Sequence, residues 1–499
     1  MLPKAKAATG VALACEAAGD LSGAFDAWQE ALAAEPNSLD IVARLADLAF
    51  RLKLFDLAEK FYAHLITQGA QGAAVIAAYA ACLREQGRYD DAIGLLKNVL
   101  GGATHEAVLW DALGAVTAAK GDSATALIFY EEALRLAPDH LQARFNRAVA
   151  LMETGQVRAG LRDAVICAET FGDPGNRASA ELTCAQASLA LGEIKSGWRW
   201  YEARHRVRPV NYEIPLPRWS GEALTGKRLF VSAEQGLGDE VLFGSLLPQI
   251  AAQVSHLGIG VEPRLVPLFQ RSFPQAQVVA HRTQTIAGRT QRTFTGCDWQ
   301  AFDTWALMGD FLPSMRSEIS SFPAQNVFLT PDPGRVAHWR QQLSLAGSKP
   351  KIGILWKSLK AGAQRDRFFS PFEQWREVLS LDTVRFVNLQ YGDSSAEMAA
   401  ARDAGIDILE PEGIDLKDDL DDLAALCRAC DVVVGPSNAT TNIAAASGAP
   451  VWLICPPQTW LRLNADHYPW YPQARLFAPP TLDDWSPAMA EIRAALTQL

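Results

Sequence analysis

The stretch that decides the fold runs from residue 431 to residue 455 and reads DVVVGPSNATTNIAAASGAPVWLIC. Its apolar run Val432 to Val434 is typical of a buried parallel strand. A Gly-Pro pair breaks that run, small polar residues open an alanine-rich segment, and Val451 to Ile454 form a second apolar run. The pattern predicts a strand, helix, strand unit. The N-terminus of its helix would lie at the carboxyl edge of a parallel sheet, where a phosphate or another anion is well received.

The rest of the composition is that of an ordinary protein with several packed domains. The chain has 499 residues, of which 49% are hydrophobic and 20% charged, and a net charge of −10. That charge argues against a protein that coats nucleic acid, because phosphate binding needs a basic face. The eight cysteines show no metal-binding spacing, and Cys427 and Cys430 are interpreted as packing residues of a helix. No apolar run is long enough to span a membrane, and we expect a cytoplasmic protein.

Small residues recur with a fixed period in the first two hundred residues. Ala24, Ala58, Ala92 and Ala126 are 34 residues apart, and Gly160 takes the next step. Five residues before these positions come Gly19, Lys53, Gly87, Gly121 and Gly155. This period resembles the tetratricopeptide repeat, whose helical hairpins stack into a solenoid with a concave surface. We predict such a solenoid over residues 1–206. Its groove would dock a protein partner; a passive spacer or a dimer surface is the alternative.

A first sheet domain is predicted over residues 227–345, after a proline-rich linker at 207–226 that cannot be one helix. A strand at 228–232 leads into a turn that contains Gly236 and Gly238, which let the backbone approach a ligand. The turn lacks the G-x-G-x-x-G pattern, so a nicotinamide site is not supported. Glu234, Asp239 and Glu240 place carboxylates there, which suit a general base acting on a hydroxyl. The later basic segment from 281 to 292 is predicted to be an exposed loop that is solvated or steers an anion.

A second sheet domain is predicted over residues 346–485, followed by a closing helix at 486–499. Its first strand, Lys351 to Lys357, leads into a loop that carries Lys357, Lys360, Arg365 and Arg367. Four cations at one sheet edge suit a phosphate or carboxylate group; a basic surface loop is the alternative. The acidic segment from 415 to 422 is predicted to be the solvated start of a helix.

Two facing domains of this kind, with a terminal helix able to cross back, describe the GT-B arrangement of glycosyltransferases. Motifs along the chain resemble bacterial tetratricopeptide proteins that carry a glycosyltransferase domain, a family related to the heptosyltransferases and more distantly to the protein O-linked N-acetylglucosamine transferases. The motifs are GWRWYEAR at 197–204, EQGLGD at 234–239, GILWK at 353–357, DVVV at 431–434, GAPVW at 448–452, and PWYP at 469–472 with RLF at 475–477.

The resemblance implies inverting transfer from a sugar nucleotide, with no cofactor and no metal. It places Asp239 as the base that activates the acceptor hydroxyl and Lys357 as the cation that stabilises the leaving phosphate. The expected donor-binding residues are Gly236, Gly238, Trp356, Arg365, Arg367, Gln390, Ser437, Asn438, Ala439, Thr440 and Asn442.

One departure from the family concerns the donor. Most relatives carry Asp-Thr-Ala, followed three residues later by His, where this chain has Ser437, Asn438, Ala439 and Asn442. Amide and hydroxyl groups would tolerate a donor with its own carboxylate, so a CMP-linked nonulosonic acid is favoured over UDP- and ADP-sugars. Bacterial flagellin glycosyltransferases pair such a donor with a tetratricopeptide array, so the resemblance to them implies flagellin as the acceptor. A non-catalytic scaffold with a decayed transferase fold and a lipopolysaccharide sugar transferase are the alternatives.

Overall fold

The structure is a computed structural model that describes residues 3–70, 72–102, 105–286, 289–358, 366–482 and 484–499. It divides into two compact units, residues 1–171 and 172–499, and this division comes before the boundary predicted at residue 206. Within the described ranges, no helix is both long and apolar enough to cross a membrane.

The first unit consists of helical hairpins, as the 34-residue period predicts. Successive hairpins pair Pro3–Ala18 with Leu21–Ala34, Leu39–Arg51 with Phe55–Thr67, Ala73–Glu85 with Tyr89–Leu100, Ala107–Ala119 with Ser123–Leu136, and Leu141–Glu153 with Val157–Thr170. The repeated alanines lie where the helices touch, and Ala24, Ala58, Ala92 and Ala126 are all 0% exposed. At the fifth position a Cβ on Gly160 would lie only 2.7 Å from the carbonyl oxygen of Ala148, so only glycine fits there. The predicted solenoid is confirmed.

The turn inside each hairpin requires a left-handed residue. Gly19, Gly87, Gly121 and Gly155 have φ angles of 76°, 75°, 106° and 82°, and Lys53 takes the same role at 62°. Glycine adopts this conformation without steric cost, whereas a side chain such as that of lysine is strained there. The turn therefore adopts the left-handed conformation at this position of the repeat even where lysine replaces glycine.

The second unit begins with helices and contains two separate sheets. Its helices are Pro174–Ala190, Ile194–Tyr201, Arg204–Val207, Leu237–Gly244, Leu247–Ala251, Val266–Ser272, Leu312–Met315, Pro333–Leu345, Arg376–Leu379, Ser395–Asp403, Leu420–Ala429, Ala439–Ala446 and Ser486–Leu496. The strands are β1 Val210–Tyr212, β2 Arg228–Ser232, β3 His256–Val261, β4 Gln277–Ile286, β5 Arg289–Phe294, β6 Thr304–Leu307, β7 Lys351–Ile354, β8 Arg385–Asn388, β9 Val432–Pro436, β10 Val451–Ile454 and β11 Arg475–Phe477.

The first sheet has the order β1-β5-β4-β3-β2-β6 and is parallel except for the β4–β5 hairpin. The predicted linker is ordered, and its residues Val210–Tyr212 form the edge strand β1, which pairs with β5. One prediction is wrong here. The basic segment from 281 to 292 is not an exposed loop, because it forms most of the hairpin. His281 and Arg292 are buried, since His281 lies against Glu240 and Arg292 donates to the carbonyl oxygen of Ala233.

The second sheet is fully parallel and has the order β11-β10-β9-β7-β8. Strand β9, the Ala439–Ala446 helix and β10 form the predicted strand, helix, strand unit at the centre of the sheet. Position 435 in β9 requires glycine, because a Cβ there would collide with the side chain of Leu355. The closing helix Ser486–Leu496 packs on this same sheet domain, against the Arg376–Leu379 helix and β11, rather than crossing back.

The acidic segment from 415 to 422 is not simply solvated. Asp421 is buried and accepts two hydrogen bonds of 2.7 Å from the guanidinium of Arg271, which belongs to the first sheet domain. Arg264 of the same domain donates to Asp418 at 3.2 Å. These ion pairs join the two sheet domains within the second unit, which explains why so many carboxylates precede one helix.

Candidate functional site

The glycine turn after β2 brings one candidate side chain to the carboxyl edge of the first sheet. The chain leaves β2 at Ser232, and the Leu237–Gly244 helix begins after Gly236. Asp239 lies in the first helical turn, and its Oδ2 accepts a hydrogen bond from the backbone N–H of Gly236 at 3.3 Å. This helix-capping bond fixes the direction of the Asp239 carboxylate.

Two of the three carboxylates predicted at this turn are used inside the fold. Glu234 is buried and receives Arg204, with Nε at 2.9 Å and Nη2 at 3.2 Å. Glu240 is buried beside His281 and accepts the backbone N–H of Glu262 at 2.9 Å. Both carboxylates therefore stabilise the turn through contacts with other parts of the fold. Neither is available to take a proton from a substrate.

Asp239 differs from its two neighbours because it has no salt bridge. In the described part of the chain no cationic nitrogen lies within 4 Å of its carboxylate, and the residue is partly exposed. Burial of its carboxyl raises the pKa to about 6, and the nearby charges of Glu234 and Glu240 act in the same direction. A carboxylate with a pKa near the working pH is suited to general-base chemistry.

The strand, helix, strand unit formed by β9, the Ala439–Ala446 helix and β10 faces this turn. Asn438 caps the Ala439–Ala446 helix, accepting from the N–H of Thr441 at 3.3 Å, while the Thr441 hydroxyl accepts from the N–H of Asn438 at 3.0 Å. Gly238 lies directly against the helix start, since a Cβ there would be 3.4 Å from the backbone nitrogen of Ala439. The turn of the first sheet and the helix N-terminus of the second sheet therefore meet.

Two of the residues predicted to bind the donor, Asn442 and Ser437, form side-chain hydrogen bonds within the protein. The side-chain amide of Asn442 donates to the carbonyl oxygen of Gly238 at 3.0 Å, so it joins the two sheet domains. The Ser437 hydroxyl lies 2.9 Å from that of the fully buried Tyr468, whose pKa burial raises. Thr440 is buried. Asn438 and Ala439 remain at the partly exposed surface of the helix start.

The edge of the second sheet carries the other predicted cluster. Gln390 is buried, and its Oε1 accepts from the backbone N–H groups of Trp356 and Lys357, both at 2.9 Å. The Gln390 amide thus holds the end of β7 in place. Trp356 is itself buried and directs its indole N–H to Glu397 at 3.3 Å.

Lys357 is a partly exposed cation of this edge, and it already has an anionic partner. Its Nζ forms an ion pair with Glu397, and this contact with Lys357 helps to hold the pKa of Glu397 below its usual value although burial opposes it. Arg367 is partly exposed in the same region, whereas Lys360 and Arg365 lie outside the described residues. The predicted group of four cations is therefore described only in part.

Comparison with known proteins agrees with the repeats and identifies a relative that covers most of this chain. Residues 16–82 match the family model of the tetratricopeptide repeat. Protein FlbA of Caulobacter vibrioides (strain ATCC 19089 / CIP 103742 / CB 15) is 44% identical over 494 residues, which are 97% of this chain and 83% of that protein. The chain belongs to the FlbA family.

Three solved structures resemble part of this FlbA-family chain. The tetratricopeptide protein TTC0263 of Thermus thermophilus is 18% identical, with a TM-score of 0.32, and covers 36% of this chain and 98% of its own. Pseudomonas aeruginosa PilF is 20% identical, with a TM-score of 0.33 over 41% of this chain and 92% of its own. The type IV pilus biogenesis factor PilW is 18% identical, with a TM-score of 0.34 over 41% and 94%. At these TM-scores the likeness carries no argument.

The structure brings some predicted residues together and leaves others apart. Gly238 meets Asn438, Ala439 and Asn442, and Gly236 and Asp239 belong to the same turn as Gly238. Among the described residues, no hydrogen bond or ion pair joins this group to Lys357. The sequence did not predict Glu397, Tyr468 or Arg204 as partners of the site, and Arg204 appeared only as the last residue of the GWRWYEAR motif at 197–204. Within the described ranges, no group of three His, Cys, Asp or Glu side chains is placed to hold a metal ion.

Proposed function

We propose that this FlbA-family protein is an inverting, metal-independent protein glycosyltransferase with a GT-B fold. In this proposal the repeats dock a protein acceptor, flagellin in the specific form of the proposal, and the second unit transfers a sugar to a serine or threonine hydroxyl. The observation that carries it is Asp239, a carboxylate without a salt bridge and with a raised pKa, between two paired carboxylates at a sheet edge. Its neighbour across the turn is a helix N-terminus.

Each part of the proposed reaction has a candidate residue. Asp239 would accept the proton of the acceptor hydroxyl as the oxygen attacks the sugar carbon, and the bond from that carbon to the nucleotide phosphate would break. Lys357 would stabilise the departing phosphate after leaving Glu397. The start of the Ala439–Ala446 helix would place its positive end toward the donor. Such a reaction uses nucleotide sugars, and we propose a cytoplasmic location for it.

The donor is proposed to be a CMP-linked nonulosonic acid, with UDP- and ADP-sugars as alternatives. Ser437 and Asn438 place a hydroxyl and an amide where the resemblance to the glycosyltransferase family leads us to expect a carboxylate, so less charge would repel a donor that has its own carboxylate. Titration of the purified protein with CMP-, UDP- and ADP-sugars tests this. Tight binding of a UDP- or ADP-sugar without binding of the CMP-sugar would exclude the CMP form of the proposal.

The second candidate function is a non-catalytic scaffold, and specific contacts favour it. Lys357 forms an ion pair with Glu397, and the Gln390 side chain is bonded to backbone N–H groups. Asn442 bonds the two sheet domains to each other. These side chains are therefore already bonded within the protein. Co-expression with a candidate flagellin and measurement of its intact mass separates the two functions. Under the transferase proposal Asp239→Ala and Lys357→Ala abolish the added mass, whereas unchanged modification in both variants would support the scaffold. An added mass on lipopolysaccharide instead of protein would favour the third alternative.

A further inference from the structure

Two consecutive residues of the glycine turn are each held by a side chain from one preceding helical segment. Glu234 receives the guanidinium of Arg204. The next residue, Gln235, donates from its side-chain amide to the hydroxyl of Tyr201 at 2.6 Å. Tyr201 and Arg204 are three residues apart in the 197–204 motif, so they act on the turn from the same side.

Gln235 is the residue of the turn whose backbone needs such a hold. Its φ angle is 61°, in the left-handed region that a side chain adopts only with strain. The Gln235 side chain is exposed, so its burial cannot maintain this conformation. Within the described residues, the hydrogen bond to the Tyr201 hydroxyl is the side-chain contact of Gln235 that can maintain it.

Tyr201 is itself buried among aromatic rings. It is 5% exposed, and its ring lies 5.6 Å from that of Trp198 and 5.9 Å from that of Trp460. The Arg204 guanidinium carbon lies 5.1 Å from the centre of the same ring, which links the two holding side chains to each other. The hydrogen bond from Gln235 to Tyr201, which we call the tether, therefore ends on a well-packed side chain.

The conformation of Gln235 determines where Asp239 lies. The peptide that follows Gln235 carries the N–H of Gly236, and this N–H is the donor to Asp239 Oδ2. Rotation at Gln235 moves that donor, and with it the carboxylate. A short chain of contacts thus runs from Tyr201 through Gln235 and Gly236 to Asp239.

We propose that Tyr201 is a positioning residue for Asp239, with Arg204 as its support. The hydroxyl of Tyr201 keeps Gln235 in the left-handed conformation that directs the Asp239 carboxylate toward the start of the Ala439–Ala446 helix. This rests on the proposed function only in that Asp239 is taken as the base. The conformational part is independent of any reaction.

A double-mutant cycle tests the proposal, since glycine adopts a positive φ without a tether. Tyr201→Phe removes the hydroxyl and keeps the ring. It should lower kcat by on the order of tenfold with KM unchanged, because misplacement of the base affects the chemical step. The pH-rate profile should shift to higher pH, because the Gly236 N–H that lowers the pKa of Asp239 is displaced. In a Gln235→Gly background the same substitution should have almost no effect.

Tyr471→Phe is the matched control. Tyr471 is also fully buried, and its hydroxyl has no hydrogen-bond partner in the part of the chain that the structure describes. This substitution should leave kcat and the pH profile unchanged. An equal loss from Tyr201→Phe with and without Gln235→Gly would overturn the proposal, because the hydroxyl would then act by another route.

Hydrogen exchange of the substrate-free protein separates this proposal from the proposed function. Asp239 and Glu240 donate their backbone N–H groups to the carbonyl oxygen of Gly236, so the peptide from 233 to 240 reports the turn. Tyr201→Phe should speed exchange there, and Gln235→Gly should remove the difference. Unchanged exchange in Tyr201→Phe overturns the tether whether or not the protein transfers sugar. Faster exchange in a protein without transferase activity would support the tether while the proposed function fails.

Discussion

Asn442 and Gly238 form a hydrogen bond between the two sheet domains of the second unit. The side-chain amide of Asn442, on the helix of the second sheet, donates to the carbonyl oxygen of Gly238 at 3.0 Å. Asn442 is 4% exposed and Gly238 is partly exposed, so the bond is partly shielded from water. A residue predicted to contact the donor therefore also determines how the glycine turn and the helix start lie against each other.

Loss of this bond should destabilise the second unit. Asn442→Ala leaves the Gly238 carbonyl without its donor in a partly shielded place, which costs about 1–3 kcal/mol. Denaturant unfolding measures the difference from the unchanged protein. Asn176→Ala, at an exposed helical position of the same unit, is the control and should change stability by less than about 0.5 kcal/mol. Equal stability of Asn442→Ala and the control would mean that the bond contributes nothing.

The pH dependence of transfer should follow the Asp239 carboxyl. With a pKa of about 6, the ionised base is the minor form below that pH. The rate should therefore rise about tenfold per pH unit up to pH 6 and level off above it. Asp239→Asn should lower kcat by about 10²–10⁴-fold and abolish this rise.

The control for Asp239 is Asp382→Asn, at an exposed carboxylate away from the turn, which should retain both the rate and its pH profile.

The raised pKa of Asp239 also has a consequence for the stability of the fold. The folded state binds the proton more tightly than the unfolded chain, so ionisation of Asp239 destabilises the fold as the pH rises from about 4 through 6. Asp239→Asn should remove this loss. A rate profile without any inflection near pH 6 would contradict Asp239 as the base.

Lys357 should bind phosphate better when Glu397 is neutral. The two form an ion pair in which both side chains are partly exposed, at 37% and 21%. Such a pair is worth up to about 1 kcal/mol, so Glu397→Gln should tighten nucleotide binding by roughly two- to fivefold. Lys357→Ala should weaken it by roughly 10- to 100-fold through loss of a charged hydrogen bond. Calorimetric titration with CMP and UDP checks both, and weaker binding by Glu397→Gln would show that Glu397 belongs to the binding site.

Local patterns predicted much of the fold, and long-range partners determine the rest. The strand, helix, strand unit and the repeat turns depend on nearby residues, and both could be predicted from the sequence. The β4–β5 hairpin could not, because its buried residues Arg292 and His281 look like solvated residues until Ala233 and Glu240 are placed beside them. The place of Asp239 in the turn after β2 could be predicted because the turn is local. Glu397 could not, because it reaches Lys357 from a separate helix.

Gly309 should accept no side chain, because the Glu234 carboxylate lies where its Cβ would be. The N–H of Gly309 also donates to Glu234 Oε1 at 2.8 Å. Gly309→Ala should displace Glu234 from Arg204 and destabilise the second unit by about 1–3 kcal/mol. Gly296→Ala is unsuitable as a control because φ is 79° there, whereas Gly172 has open space and an ordinary φ. Gly172→Ala should leave the unfolding midpoint unchanged, and the same result for Gly309→Ala would contradict the crowding.

Lys53→Gly should stabilise the first unit. Lys53 has a φ of 62° at the turn where four other repeats carry glycine, and it is exposed. Glycine removes the steric strain of a left-handed side chain, about 1–2 kcal/mol, and adds entropy to the unfolded chain. The net gain expected in the free energy of unfolding is about 0.5–1 kcal/mol. The reverse change, Gly87→Lys at a φ of 75°, should destabilise by a similar amount, so opposite shifts in denaturant midpoint are the signature. Stabilisation by both substitutions would show that the turn conformation is not what distinguishes lysine from glycine at this position.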